Sequence, residues 1–191
     1  IHLNLSKKFE TIKIENKINK FSTKINVDSD KSISIRWTLF ASQAIGKSTA
    51  YNLLMSEDVF VQLNVLNIRN KSKFNRNKCE IFGNGVNGFK YKKNIILNAG
   101  NSGTLGRLIL PLLIRSPVKI KLIGDKSLSK RDFTRIIDPL KKFGATFFPK
   151  KSSKIPIYIK GSDFIRPINY LENKGSAQCK SAVMLAALNA P

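Results

Sequence analysis

Apolar and polar residues alternate through residues 9–28, where Phe9, Ile12, Ile14, Ile18, Phe21, Ile25 and Val27 mark the apolar positions. A period near two predicts strands. A polar break follows at 28–31. Over 32–44 the period lengthens, and Ile33, Trp37, Phe40, Ala41 and Ala44 recur at helical spacing. Gly46 is placed to cap that helix. Residues 49–55 read as a strand. Ser56-Glu57-Asp58 opens a second helix to about residue 68, with acids favourable in its first turn. A short strand at 79–82 and a turn at 83–88 complete the pattern.

The same order then returns. The spacing predicts a strand at 94–98, a helix at 103–114, a strand at 118–123, a helix at 132–143 bent near Pro139, and strands at 145–148 and 155–159. Residues 167–171 begin a third round, and 176–188 read as its first helix. The chain is therefore an α/β protein built from a repeated β-α-β-α-β-β unit. Helix starts near Ser32, Ser102 and Ser176 lie about 70 residues apart, too long for a solenoid and suited to packing about a pseudo-threefold axis. The expected units are 23–93, 94–165 and 166–191. The third is truncated after one helix. With no initiator Met in Ile1-His2-Leu3, the chain reads as part of a longer frame.

Charge changes this picture less than its size suggests. Net charge is +22, from 34 Lys+Arg against 12 Asp+Glu, so the surface attracts anions. The basic residues are scattered, and no zinc-finger, RRM or basic-region pattern is present, so a nucleic-acid-binding module is the alternative and not the main reading. The longest apolar run, 108–114, is interrupted by Pro111 and is too short to span a bilayer. Cys79 and Cys179 form no metal or disulfide spacing, which suits a reducing compartment, and a cytoplasmic location is expected. The lone His2 is a poor general base at a ragged end, and metal-ligand clusters are absent from the sequence.

The candidate chemistry lies at the three helix starts. These read Asp30-Lys31-Ser32-Ile33-Ser34-Ile35-Arg36, Gly100-Asn101-Ser102-Gly103-Thr104-Leu105-Gly106-Arg107, and Gly175-Ser176-Ala177-Gln178-Cys179-Lys180. Free N–H groups and the helix dipole favour an anion at each start. A cation follows within about a turn: Arg36, Arg107 or Lys180. A fourth stretch, from Gly124-Asp125 to Lys130-Arg131, ends a strand and offers Arg131 as a ligand clamp. Two motifs fail on context. Ile45-Gly46-Lys47-Ser48 follows a helix instead of preceding one, so it is no phosphate-binding P-loop. Gly83-x-Gly85-x-x-Gly88 leads into a strand, so it is a turn and not a dinucleotide fingerprint.

These four blocks together resemble the 5-enolpyruvylshikimate-3-phosphate synthase family, in family order and at family-like distances from about residue 9 onward. The resemblance implies an enolpyruvyl transferase fold, an inside-out α/β barrel. Residues 23–191 would form an incomplete N-terminal substrate-binding domain, and 1–22 would be strands belonging to, or leading from, the other domain. It implies transfer of the enolpyruvyl group of phosphoenolpyruvate to the 5-hydroxyl of shikimate 3-phosphate, without metal or cofactor, by a protein that is monomeric at full length.

Carried over by match, Lys31, Ser32, Arg36, Ser176, Ala177 and Gln178 contact shikimate 3-phosphate. Lys31, Asn101, Gly103, Arg131 and Gln178 contact phosphoenolpyruvate, with Thr104 and Arg107 in support. Lys31 is the one residue given a catalytic role. Ala177 stands where the family often has a second serine. The family's acid/base carboxylates match nothing in this chain, so the fragment alone is expected not to turn over. The related enzyme acting on UDP-N-acetylglucosamine is the enzymatic alternative; it usually has Lys-Asn where this chain has Lys31-Ser32, and a cysteine in the loop before Arg131.

Overall fold

Asp30 begins the first helix because its carboxylate takes the N–H of Ile33 at 2.7 Å, and α1 then runs Lys31–Gln43. It is followed by β1 (Ile45–Tyr51), α2 (Glu57–Val65), β2 (Ser72–Asn75) and β3 (Lys78–Asn84). The second unit comprises β4 (Ile96–Asn98), α3 (Gly103–Ile109), β5 (Ile120–Ile123), the short α4 (Lys126–Ser129), α5 (Thr134–Phe143), β6 (Thr146–Phe148) and β7 (Ile157–Lys160). Helix α6 (Ala177–Ala187) opens the third. This computed structural model describes residues 20, 22–25, 27–66, 71–75, 77–86, 88–149 and 153–191.

The repeat is visible in strand order. The first sheet is antiparallel with order β1-β3-β2, and the second is β4-β5-β7-β6, so β5-β7-β6 repeats the first sheet and β4 adds in parallel beside β5. Alternation sets the faces of the second sheet. Ile120, Leu122, Ile157 and Ile159 point inward, while Lys121 and Tyr158 pair on the outer face, where Lys119 sits over the Phe148 and Tyr158 rings. Helices α1, α3 and α6 pack side by side, and α5 lies against α6. Leu39, Leu63, Leu105, Phe133, Leu140 and Leu185 fill the space between. Among the described residues no helix is long and apolar enough to cross a membrane.

Several expectations need correction. Most of the predicted 9–28 strands lie outside the described residues, and 22–25 and 27–28 form no strand, with Ile25 and Val27 exposed. Ser32 does not begin its helix; Asp30 is the cap. Gly46 does not end it either. Ala44 leaves the helix in extended conformation, and Gly46, at φ +86°, lies inside β1 opposite Gly83. The strand predicted at 49–55 is displaced to β1 because it pairs along the whole of β3. Gly83 and Asn84 belong to β3, so the turn is shorter than expected and closes by Gly88 N–H donating to the Gly85 carbonyl. The 103–114 helix tightens to a 3-10 turn over Leu110–Leu113, where Pro111 lacks an N–H to continue the α pattern. Residues 167–171 form no strand. Strand β2 and helix α4 were not expected.

Gly83 fixes the contact between β3 and α1. A Cβ there would lie 2.2 Å from the Ala44 carbonyl oxygen and 2.3 Å from that of Ala41, both backbone atoms. Gly83→Ala is therefore expected to destabilise the chain by about 2–3 kcal/mol through overpacking. A urea midpoint unchanged from the parent would contradict that contact.

Candidate functional site

Each first helix of a unit is capped by its own side chain. Asp30 takes Ile33 N–H at 2.7 Å, Ser102 takes Leu105 N–H at 3.2 Å, and Ser176 takes Cys179 N–H at 3.3 Å. One first-turn donor is used in each case, and the others remain at the helix end with the positive dipole. The caps bring the three starts to a common place. Lys31 and Ser32 of α1, Gly103 and Thr104 of α3, and Gln178 of α6 line one open polar cleft of about 450 Å³. Asn101, Ser102, Asp125, Ser127 and Arg131 complete it.

Arg131 sits against α3 because residue 103 has no side chain. A Cβ on Gly103 would stand 2.3 Å from the Arg131 Nη1. The guanidinium thus lies directly over the first turn of α3, adding its charge to that helix's dipole. Lys31, at the first turn of α1, forms an ion pair with Asp58 in the first turn of α2. Gln178 is fixed from both ends. Arg107 Nη1 donates to its Oε1 at 2.5 Å, and its Nε2 donates to Thr104 Oγ1 at 3.1 Å. Arginine can only donate, so this contact sets which way the amide faces. Arg107 also stacks over Phe133, 5.5 Å from the ring centre. Burial, and then the charge of Arg131, lower its pKa from the ordinary value.

Of the residues singled out in the sequence, Lys31, Ser32, Asn101, Gly103, Thr104, Arg131 and Gln178 share the cleft. Arg107 stands behind it as the support of Gln178. Arg36 is half-buried and donates to Ser181 Oγ at 2.7 Å, tying α1 to α6 outside the lining. Ser176 is occupied as a cap, Ala177 is exposed, and Lys180 is exposed and outside the lining of the cleft. Asp58, Asp125 and Ser127 were missed. Asp125 had a readable signal, because it caps α4 by taking Leu128 N–H at 2.7 Å, three residues on. Asp58 had none, since only tertiary folding brings α2 to Lys31.

A larger cavity, about 650 Å³, lies between α2 and β4 and is walled by Val61, Val65, Tyr91, Ile95 and Leu97. It is mainly apolar and draws on only one helix's flank. Convergent N–H groups and cations, not volume, make the smaller cleft the candidate site for an anion.

The chain matches the family model for EPSP synthase (3-phosphoshikimate 1-carboxyvinyltransferase) over residues 15–191. It is 39% identical over 168 residues to the 3-phosphoshikimate 1-carboxyvinyltransferase of Ruegeria sp. (strain TM1040), covering 87% of this chain and 37% of that protein. The protein of the same name from Petrotoga mobilis (strain DSM 10674 / SJ95) is 39% identical over 172 residues, covering 88% and 40%. Among solved structures, the EPSP synthase from Acinetobacter baumannii at 2.37 Å superimposes with a TM-score of 0.77 at 32% identity, over 88% of this chain and 38% of that one. The chain thus spans well under half the length of these relatives, and it shares their α/β enolpyruvyl transferase fold without closing a barrel.

Proposed function

The chain belongs to the EPSP synthase family, and we propose that it supplies the substrate-holding wall for transfer of the enolpyruvyl group of phosphoenolpyruvate to the 5-hydroxyl of shikimate 3-phosphate. Three helix starts and Arg131 on one polar cleft carry this reading. In the proposed reaction the 5-hydroxyl oxygen bonds to C2 of phosphoenolpyruvate as it loses its proton and C3 gains one, giving a tetrahedral intermediate; C3 then loses a proton as the C2–O bond to phosphate breaks, which restores the double bond and releases phosphate. Both substrates are anions. At about 6 Å and an effective dielectric near 20, each pair of unit charges repels by about 3 kcal/mol. The cleft offsets that repulsion with fixed dipoles and cations.

Lys31 and Ser32 take the shikimate phosphate together with the α6 start at Ser176, Arg131 and Gly103 take phosphoenolpyruvate, and Gln178 lies between the two. Lys31 is placed to reach both, and Asp58 holds it there. Arg36 contributes through its hold on α6. The proton-transfer carboxylates belong to a second domain, with which residues 1–22 are grouped, and 23–191 form the incomplete N-terminal domain. Both cysteines are free and buried, which suits a reducing cytoplasm.

Titration calorimetry with shikimate 3-phosphate tests the assignment, and saturable binding without product formation is the expected result. No heat and no saturation would overturn the substrate assignment. Turnover by the 191-residue chain itself would overturn the placement of proton transfer elsewhere.

A further inference from the structure

Residues 169–174 lead into α6 without forming a strand, and Asn169, Leu171, Asn173 and Lys174 are exposed. Gly175 turns through φ +67°, and Ser176 then caps α6. The start that presents Gln178 therefore follows a segment with no sheet to hold it. Among the described residues, one carboxylate gathers the hydrogen bonds that fasten this segment. Glu172 accepts from the Arg135 guanidinium and from the Lys174 N–H, the latter at 3.1 Å, both on Oε1, and from the Tyr170 hydroxyl on Oε2. Its side chain is only 6% exposed. The Tyr170 hydrogen bond first, then those from Arg135 and Lys174, hold the carboxyl down at about 2 against the effect of burial. Burial and donation to Glu172 push the Tyr170 phenol up to about 12.

The connection is long-range. Arg135 is the second residue of α5, one turn beyond Arg131, whereas the Lys174 N–H is two residues before the α6 cap. Asp58, the second residue of α2, reaches Lys31 at the start of α1 within its own unit, whereas Arg135 reaches forward to the segment before the first helix of the next. We propose that Arg135, Glu172 and Tyr170 form a positioning clasp that sets the α6 start, and with it Gln178, relative to Arg131 for binding of the phosphorylated substrate. The substrate named here rests on the functional reading above; the clasp itself does not.

Glu172→Gln in the 191-residue chain tests it. Glutamine keeps the size but removes the charge that Arg135 faces. Without ligand, amide exchange at Cys179 and Lys180, whose N–H groups are bonded to Ser176, is expected to quicken about tenfold while Leu105 in α3 is unchanged, because local opening is read segment by segment. Shikimate 3-phosphate affinity is expected to fall about tenfold by calorimetry. Tyr170→Phe leaves the Arg135 pair in place, is expected to fold, and gives a smaller change in the same two readouts. Exchange at the α6 start within twofold of the parent in both variants overturns the clasp. So does equal quickening at Leu105, which marks general loosening. If the parent ignores shikimate 3-phosphate while exchange still rises in Glu172→Gln, the clasp stands and the substrate assignment falls.

Discussion

Arg131→Ala is expected to weaken phosphoenolpyruvate binding by roughly 30- to 150-fold, about 2–3 kcal/mol, the range for losing a charge-assisted contact to an anion. The guanidinium is the nearer of two at the first turn of α3, and the other, Arg107, is engaged by Gln178. Lys31 lies across the cleft and is engaged by Asp58. The loss should appear in binding and not in stability. Arg131 is exposed, and exposed substitutions usually change stability by no more than about 0.5 kcal/mol. Calorimetry with phosphoenolpyruvate, beside a thermal melt, separates the two. A change in affinity below threefold would remove Arg131 from the site.

Phe133→Ala is expected to cost about 3–5 kcal/mol of folding free energy, the usual range for truncating a buried phenylalanine. Small domains have only about 5–15 kcal/mol in total, so this variant approaches unfolding. Phe133 is fully buried, and its ring lies under Arg107 and close to Gly106. Its N–H donates to the Ser153 carbonyl at 2.8 Å, which anchors the segment between Arg131 and α5. Urea unfolding monitored by circular dichroism measures the cost, and a loss under about 1.5 kcal/mol would mean that the site collapses easily. Phe133→Leu retains most of the volume and should recover much of the stability. If the ring also holds Arg107, that variant will still bind shikimate 3-phosphate less well, because Gln178 loses its brace.

The helices that line the cleft were legible because each combines a capping residue with helical periodicity. Their starts were less so. Asp30-Lys31-Ser32 offers two capping residues within three positions, and only the backbone decides that Asp30 is the one used. Strand β2 was invisible because its burial does not alternate; Ser72–Asn75 is an edge strand whose extended form comes from pairing with β3. Residues 167–171 have strand-like composition but no neighbouring strand in the described residues, and composition alone does not hold a strand in water. Within the cleft, the residues contributed by the helix starts could be read from local sequence. Arg107 was readable as a support, but not as the partner of Gln178. Asp58 on Lys31 and Glu172 on Arg135 could not be read, because they join segments that are remote in the chain, and their polar side chains look like ordinary surface residues until the fold brings them together.

The shared strand order β1-β3-β2 and β5-β7-β6 has a consequence for how such a site can change. Because one architectural module is used again, each copy delivers a helix end to the same place without needing the same residues there. One copy presents lysine, another a bare glycine backed by arginine, and another a glutamine. Duplication thus separates the task of arriving at the ligand from the task of recognising it, and each corner is free to specialise while the scaffold keeps the other two in place.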